Sequence, residues 1–194
     1  MGTVLLSMFV SLDGFVNDPQ GRVGPLYPDP AALDQTAFMQ DSIRTTGAVV
    51  MGRRAFDMGK PDEYVGQYEY QVPIFVLTHH PPAVPPKQDE RLTFTFVDSV
   101  GDAVTQAKVV AGDRDVLIIG GADTAQQALN AGVVDELEVG VAPVLLGGGT
   151  PLFANLVHPF TLERTQITDL LGTPILRYRV GHTGKESEER PWDT

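Results

Sequence analysis

The chain has 194 residues, 42% of them hydrophobic, which is enough for one well-buried globular domain and short for two. A formal net charge of −11 speaks against a general nucleic-acid binder, which needs Lys and Arg clustered over a broad face, so no nucleic-acid partner is expected. The absence of cysteine excludes disulfides, thiolate catalysis and cysteine-ligated zinc, and makes a reducing cytoplasm the simplest location.

The opening MGTVLLSMFVSLDG is apolar, but it lacks a basic leader and a small-residue cleavage site and soon meets Asp13. Residues 3 to 10 therefore read as a buried strand, with no membrane partner expected. LDGFVNDPQGRVGPLYPDP then spreads Gly, Pro, Asn and Asp over a long connection, a candidate lid. From about Pro30 to Ile43 the spacing predicts an amphipathic helix, with Asp29 as cap and Pro30 in its first turn. GAVVMG and VPIFVLT are unbroken apolar runs, as expected of strands covered on both faces, and LTFTFV is a strand with more alternation. Between Ser99 and Val110, Val100, Ala103, Val104 and Ala107 recur at helical spacing. DVLIIG follows as a strand, then a helix to about Asn130 stopped by Gly132, then the strand-like DELEVGVAPVLLGGG and TPILRYRV. This alternation predicts an α/β fold with a mostly parallel central sheet flanked by helices on both faces, and some antiparallel pairing at the C-terminal end. One domain is expected over residues 1–181, followed by a loosely held polar tail over residues 182–194.

Three strand ends carry the chemistry. Gly120-Gly121 sits where a strand feeds a helix, so its backbone N–H groups and the helix dipole can face an anion, although the pair could equally serve only to turn a corner. Ala122, Asp123 and Thr124 follow and can cap that helix. VVMGRRAFD ends a buried strand at Gly52 and at once presents Arg53 and Arg54, whose guanidinium groups suit bidentate binding of phosphate; the bland reading is a solvated surface pair. FVLTHH offers Thr78 and His79, which could also merely lead into the stiff PPAVPP connector. Three such ends are what an open α/β sheet needs to hold a dinucleotide across its carboxyl edge.

In combination these segments resemble a known family. MGRRAF looks like the Met-Gly-Arg step of dihydrofolate reductases, and IIGGADTAQQAL like their glycine pair and following helix. VSLDGFV and APVLLGGGTPLF resemble the C-terminal reductase domain of the bacterial riboflavin-synthesis enzyme RibD. The likeness spans roughly residues 3 to 180, and the chain is identified as a stand-alone member of the RibD C-terminal, dihydrofolate-reductase-like family. That resemblance implies a dihydrofolate-reductase-like fold and NADPH as cofactor. It implies that Gly52, Arg53 and Arg54 serve the cofactor, with Arg53 on the 2′-phosphate and Arg54 on the pyrophosphate side. Thr78 and His79 would flank the adenosine, and Gly120, Gly121, Ala122, Asp123 and Thr124 would wrap the pyrophosphate. It also implies a cis bond between Gly120 and Gly121.

Two acids are candidates for managing the proton. Asp13, in SLDG, resembles the acid of riboflavin-type reductases that faces substrate and nicotinamide, against the alternative of an Asp-Gly turn. Asp34 with Phe38 repeats the i, i+4 acid and phenylalanine pair by which dihydrofolate reductases grip a pterin, if a small insertion is assumed. Burial among Phe38, Met39 and Phe153 would fit it to donate a proton. The glycines of LLGGGTPLF, Gly148 and Gly149 among them, would let the backbone pass beside substrate, with a hairpin or bulge as the alternative. LYPDPAALDQTAFMQDS carries four acids and no Lys or Arg, which suits an uncharged or weakly basic heterocycle better than a ribosyl phosphate, unless Arg22 or Arg44 reaches in.

The expected function is thus an NADPH-dependent reduction of a small heterocycle, pterin-like or the pyrimidine intermediate of riboflavin biosynthesis, with no metal. Two alternatives stand beside it: a catalytically silent NADPH-binding module that recognises a partner, and a hydrolase or metal enzyme built on His79, His80, His158 or His182. The last lacks any HExxH or Ser-His-Asp pattern. The resemblance also suggests a homodimer through the apolar C-terminal strands.

Overall fold

The computed structural model describes residues 2–60 and 62–181. The tail expected over residues 182–194, with Trp192, lies outside the described residues. Eight strands form one sheet in the order β4-β3-β2-β5-β1-β6-β8-β7. In chain order they are β1 (Val4–Ser11), β2 (Thr46–Gly52), β3 (Ile74–Leu77), β4 (Phe94–Val97), β5 (Asp115–Ile118), β6 (Glu136–Ala142), β7 (Thr161–Leu170) and β8 (Thr173–Gly181). From β4 across to β6 every pair is parallel, whereas β8 lies antiparallel to β6 and β7 antiparallel to β8. The sheet is therefore mixed and mostly parallel, as its strand patterns predict.

The apolar runs are central because both of their faces are covered. All seven residues of β2 are buried. On one face α5 (Val100–Ala111) and α6 (Ala122–Asn130) set Val104, Ala107, Ala125 and Leu129 against Leu6, Val50 and Ile118. On the other, Met39 of α2 (Ala37–Thr45) and Phe56 of α3 (Arg53–Met58) pack with Tyr64 and Tyr70 on Leu5, Val49 and Leu117. Alternate residues of one strand serve opposite faces, so Leu5 and Ser7 look toward α2 while Leu6 and Met8 look toward α5 and α6.

Two local expectations change. The single helix predicted from Pro30 to Ile43 is two: α1 (Pro30–Asp34) ends at Gln35, and Thr36 caps α2 by accepting the Met39 N–H at 3.2 Å. A threonine in that position offers the chain a cap, a better use of its hydroxyl than a place inside a helix. Strand β7 escapes sequence patterning because it is an exposed sheet edge, TLERTQITDL, with no buried face to impose alternation. Pairing with β8 across Leu171 and Gly172, both at positive φ, holds it in place. Between α3 and β3 the segment holding α4 (Tyr64–Gln67) is one turn broken at Val65 and Gly66. It brings Tyr64, Tyr68 and Tyr70 together, the first two rings 5.0 Å apart and the last two 5.8 Å.

Candidate active site

The parallel strands end together, and across their carboxyl edge opens a cleft of about 1320 Å³. Such an edge is where an open α/β sheet accepts ligands, because strand ends and helix starts leave backbone groups unpaired there.

One end of the cleft is the corner where β2 and β5 stop. The Gly52 N–H donates to Gly120 O at 2.8 Å, which ties the two strand ends. A Cβ added to Gly52 would lie 2.5 Å from Thr124 Oγ1, so glycine lets α6 start this close to β2. No peptide bond among the described residues is cis, contrary to the expectation for Gly120-Gly121; Gly120 makes the turn instead by adopting φ 120°, a conformation open to glycine. Gly121 has an ordinary φ of −67° and nothing within 4 Å of where its Cβ would be. It caps α6 without any side-chain hydrogen bond, leaving the first N–H groups of that helix to the cleft, which Gly121, Ala122, Asp123 and Thr124 all line.

Arg53 and Arg54 line the same end at the start of α3. Arg53 Nε donates to both oxygens of Asp57 at 2.8 and 2.9 Å, and its Nη1 donates to the His80 carbonyl. Arg54 is exposed and has no hydrogen bond or ion pair among the described residues. Thr78 and His79 line the cleft beyond β3, and the Thr78 hydroxyl accepts the His80 N–H at 3.1 Å. Every residue singled out in the sequence for the cofactor, from Gly52, Arg53 and Arg54 through Thr78 and His79 to Gly120–Thr124, thus lines one cleft.

The other end lies over β1 and β6 on the α2 face. Phe38, Met39 and Ser42 of α2 line it, and Phe9 faces Tyr27 with ring centroids 4.8 Å apart. Asp34 also lines the cleft but from an exposed position, so the burial expected around it is absent.

Asp13 is placed elsewhere. It is exposed, is not among the cleft-lining residues, and its two oxygens accept the N–H groups of Leu146 and Gly147 at 3.1 and 2.8 Å. The Ser11 hydroxyl and those two N–H groups hold its carboxyl below the ordinary value. A carboxylate so held clamps the glycine-rich loop and is a poor proton donor. That loop uses its glycines for packing: Gly149, at φ 132°, would have a Cβ 1.9 Å from the Asn17 carbonyl oxygen, and Gly148 lies beside Pro19. Gly148, Gly149 and Phe153 do not line the cleft, whereas Asn17 and Thr150, joined by hydrogen bonds of 2.9 and 3.2 Å, do.

The carboxyl group that the cleft does bury is that of Glu138, which sequence patterning missed. It is 7% exposed, lines the cleft, and accepts the Ser7 hydroxyl at 2.9 Å on Oε1. Desolvation pushes its carboxyl up, against the opposing pull of the Ser7 hydrogen bond and the Arg177 charge. Ser7 and Glu138 are register partners in β1 and β6. The signal was a polar residue with apolar neighbours on either side in each of two strands, Ser7 in VLLSMFV and Glu138 in LEV, which becomes informative only once the strands are known to be neighbours. Tyr68, Tyr70 and Ser42 were missed for the same reason; Ser42 Oγ and Tyr70 Oη lie 2.8 Å apart. Among the described residues there is no cluster of three or more His, Asp or Glu able to hold a metal ion, and no helix is long and apolar enough to cross a membrane.

A mixed, mostly parallel sheet with a glycine-lined, arginine-flanked cleft at its carboxyl edge defines an α/β protein of the dihydrofolate-reductase-like class. The chain belongs to the RibD C-terminal domain family, whose model matches residues 2–170. YwjB of Bacillus subtilis strain 168, an uncharacterised protein, is 28% identical over 159 residues, covering 82% of this chain and 87% of that one. A solved structure from Shewanella sp. PV-4, with a proposed place in riboflavin biosynthesis, superposes with a TM-score of 0.74 at 25% identity, covering 93% of this chain and 99% of that one. The deaminase and 5-amino-6-(5-phosphoribosylamino)uracil reductase of Thermotoga maritima shares the fold, with a TM-score of 0.63 at 13% identity over 92% of this chain and 56% of its own.

Proposed function

We propose that the chain is an NADPH-dependent reductase of a small heterocycle, either pterin- or dihydrofolate-like or the 5-amino-6-(5-phosphoribosylamino)uracil for which the Thermotoga relative is named. The observation that carries this is the corner at Gly121, where open space, an α6 N-terminus without a side-chain cap and two adjacent arginines converge on one cleft end. Bound there, NADPH would supply the hydride. The chain's own groups do the rest. The N–H groups at the start of α6 take the pyrophosphate, and Arg53 and Arg54 provide positive charge for it and for the 2′-phosphate. Gly52 and Gly120 keep the two strand ends close enough to shape that corner. The apolar wall of Phe9, Phe38 and Met39 excludes water from the acceptor end.

Calorimetric titration with NADPH and NADH tests this. The wild-type protein binds NADPH at least about tenfold more tightly than NADH, and Arg53→Ala and Arg54→Ala narrow that ratio, because only NADPH carries the 2′-phosphate. Gly121→Val is tolerated by the fold, since its φ is ordinary and its Cβ site is empty, yet it blocks the cradle. Undiminished NADPH binding by Gly121→Val would falsify the assignment. Tight NADPH binding without oxidation of the cofactor by any pterin or pyrimidine acceptor would favour the silent binding module instead. The reading also carries a cytoplasmic location and a homodimer, with Leu162 and Ile167 of β7 exposed for a contact; sedimentation checks the latter.

A further inference from the structure

The acceptor end of the cleft holds one feature that the protein alone leaves incomplete. Among the described residues the only buried side-chain polar atom without a hydrogen-bond partner is the hydroxyl of Tyr68. Its neighbours in the aromatic cluster are satisfied: Tyr64 Oη donates to Phe56 O at 2.9 Å, and Tyr70 Oη pairs with Ser42 Oγ. A buried hydroxyl left without a partner costs on the order of 1–3 kcal/mol, and that cost is removed when a ligand supplies an acceptor. Tyr68 lines the cleft.

Glu138 is incomplete in the complementary sense. Ser7 occupies Oε1, while Oε2 has only the Arg177 guanidinium at 3.9 Å, and that guanidinium is already held at 2.6 Å by Glu136. The two groups border one compartment. Both line the same cleft, as does Tyr70, whose ring is 5.8 Å from that of Tyr68.

Charge narrows what can occupy this end. The arginines that line the cleft are Arg53 and Arg54, both at the cofactor end, and no lysine lines it. Arg22 and Arg44, the two other candidates to reach in, are bound by Asp18 at 2.6 Å and Asp41 at 3.0 Å, and neither lines the cleft. The acceptor end instead carries Asp34, Glu69 and Glu138. A phosphate placed here meets lining carboxylates and no lining cation, since the Arg177 guanidinium beside Glu138 is held by Glu136 and does not line the cleft.

Accepting the reductase reading above, we propose that Tyr68 and Glu138 form the acceptor-recognition subsite. It takes a flat, neutral or weakly basic nitrogen heterocycle without a phosphate, whose N–H edge donates to Glu138 and whose ring nitrogen or carbonyl accepts from the Tyr68 hydroxyl. Substrates of the phosphoribosyl type are thereby disfavoured.

The test uses the full chain and calorimetric binding of three probes: 2-amino-4-oxopteridine, 5,6-diaminouracil and 5-amino-6-(5-phosphoribosylamino)uracil. The first two bind wild type at least about tenfold more tightly than the third. Tyr68→Phe and Glu138→Gln each weaken the pteridine by about tenfold and leave NADPH affinity within about twofold. Tyr68→Phe does not lower the Tm, since it deletes a hydroxyl that the protein does not use, whereas a structural hydroxyl would. The proposal is overturned if Tyr68→Phe leaves pteridine binding unchanged or lowers the Tm, if the phosphoribosyl compound binds most tightly, or if neither unphosphorylated ring binds. Ring binding that responds to both variants in a protein without NADPH affinity would uphold the subsite and remove the cofactor reading.

Discussion

Replacing Gly52 by alanine isolates the close approach on which the cofactor corner depends. The backbone there is at φ −79° and ψ 159°, so alanine costs nothing in conformation. Its methyl group, however, would lie 2.5 Å from Thr124 Oγ1, about 1 Å short of van der Waals contact. Thr124 is 3% exposed in the first turn of α6, so it cannot swing into solvent. Either α6 shifts or the 2.8 Å bond from the Gly52 N–H to Gly120 O lengthens. Overpacking of this size costs about 1–3 kcal/mol, equivalent to about 2–12 °C in Tm for a chain of this length. Because the parts that must yield are Gly120, Gly121 and the start of α6, NADPH affinity should fall by about tenfold or more. Thermal unfolding and calorimetry on Gly52→Ala, Thr124→Ala and the double variant measure both effects. Removal of the threonine hydroxyl opens the space, so Gly52→Ala should cost under about 0.5 kcal/mol in the Thr124→Ala background. An equal cost in the two backgrounds would refute the steric argument.

Asp13→Asn should lower the Tm while leaving NADPH affinity unchanged, because Asp13 clamps the Leu146 and Gly147 N–H groups outside the cleft; unchanged stability with lost turnover would return Asp13 to a catalytic role. The folded-state value of that carboxyl is depressed, so its contribution to stability is present above the ordinary aspartate range and is lost as pH falls through the lower folded value. Glu138 has the opposite sign. Its folded-state value is raised, so the protonated form favours the fold, and this contribution is lost as pH rises through the folded value. Glu138→Gln should therefore gain in Tm relative to wild type as pH rises above the ordinary glutamate range; a Tm difference independent of pH there would contradict the burial argument.

Much of this protein is determined locally. Unbroken apolar runs such as GAVVMG and VPIFVLT specify doubly covered strands, because only a residue shielded on both sides of a sheet tolerates such continuity. Ser99 and the spacing of Val100, Ala103, Val104 and Ala107 specify α5, cap included. The gathering of Gly52-Arg53-Arg54, Thr78-His79 and Gly120 to Thr124 on one cleft was legible for the same reason: each lies at a junction of strand and following element, and parallel strands deliver such junctions to one edge. The acceptor end was not legible, since it is assembled from residues far apart in sequence. Ser7 meets Glu138 only because β1 and β6 pair in that register, and Tyr68 reaches the cleft through an irregular turn with no periodicity to read. Asp13 and Gly149 misled by type: a carboxylate in a turn and a glycine in a loop suit a ligand or a neighbouring backbone equally, and here the backbone claims both. Local sequence settles which elements form and where they end, because propensity, capping and burial act over a few residues. Which carboxylate is desolvated and which hydroxyl lacks a partner are properties of packing between distant segments, and only the tertiary structure decides them.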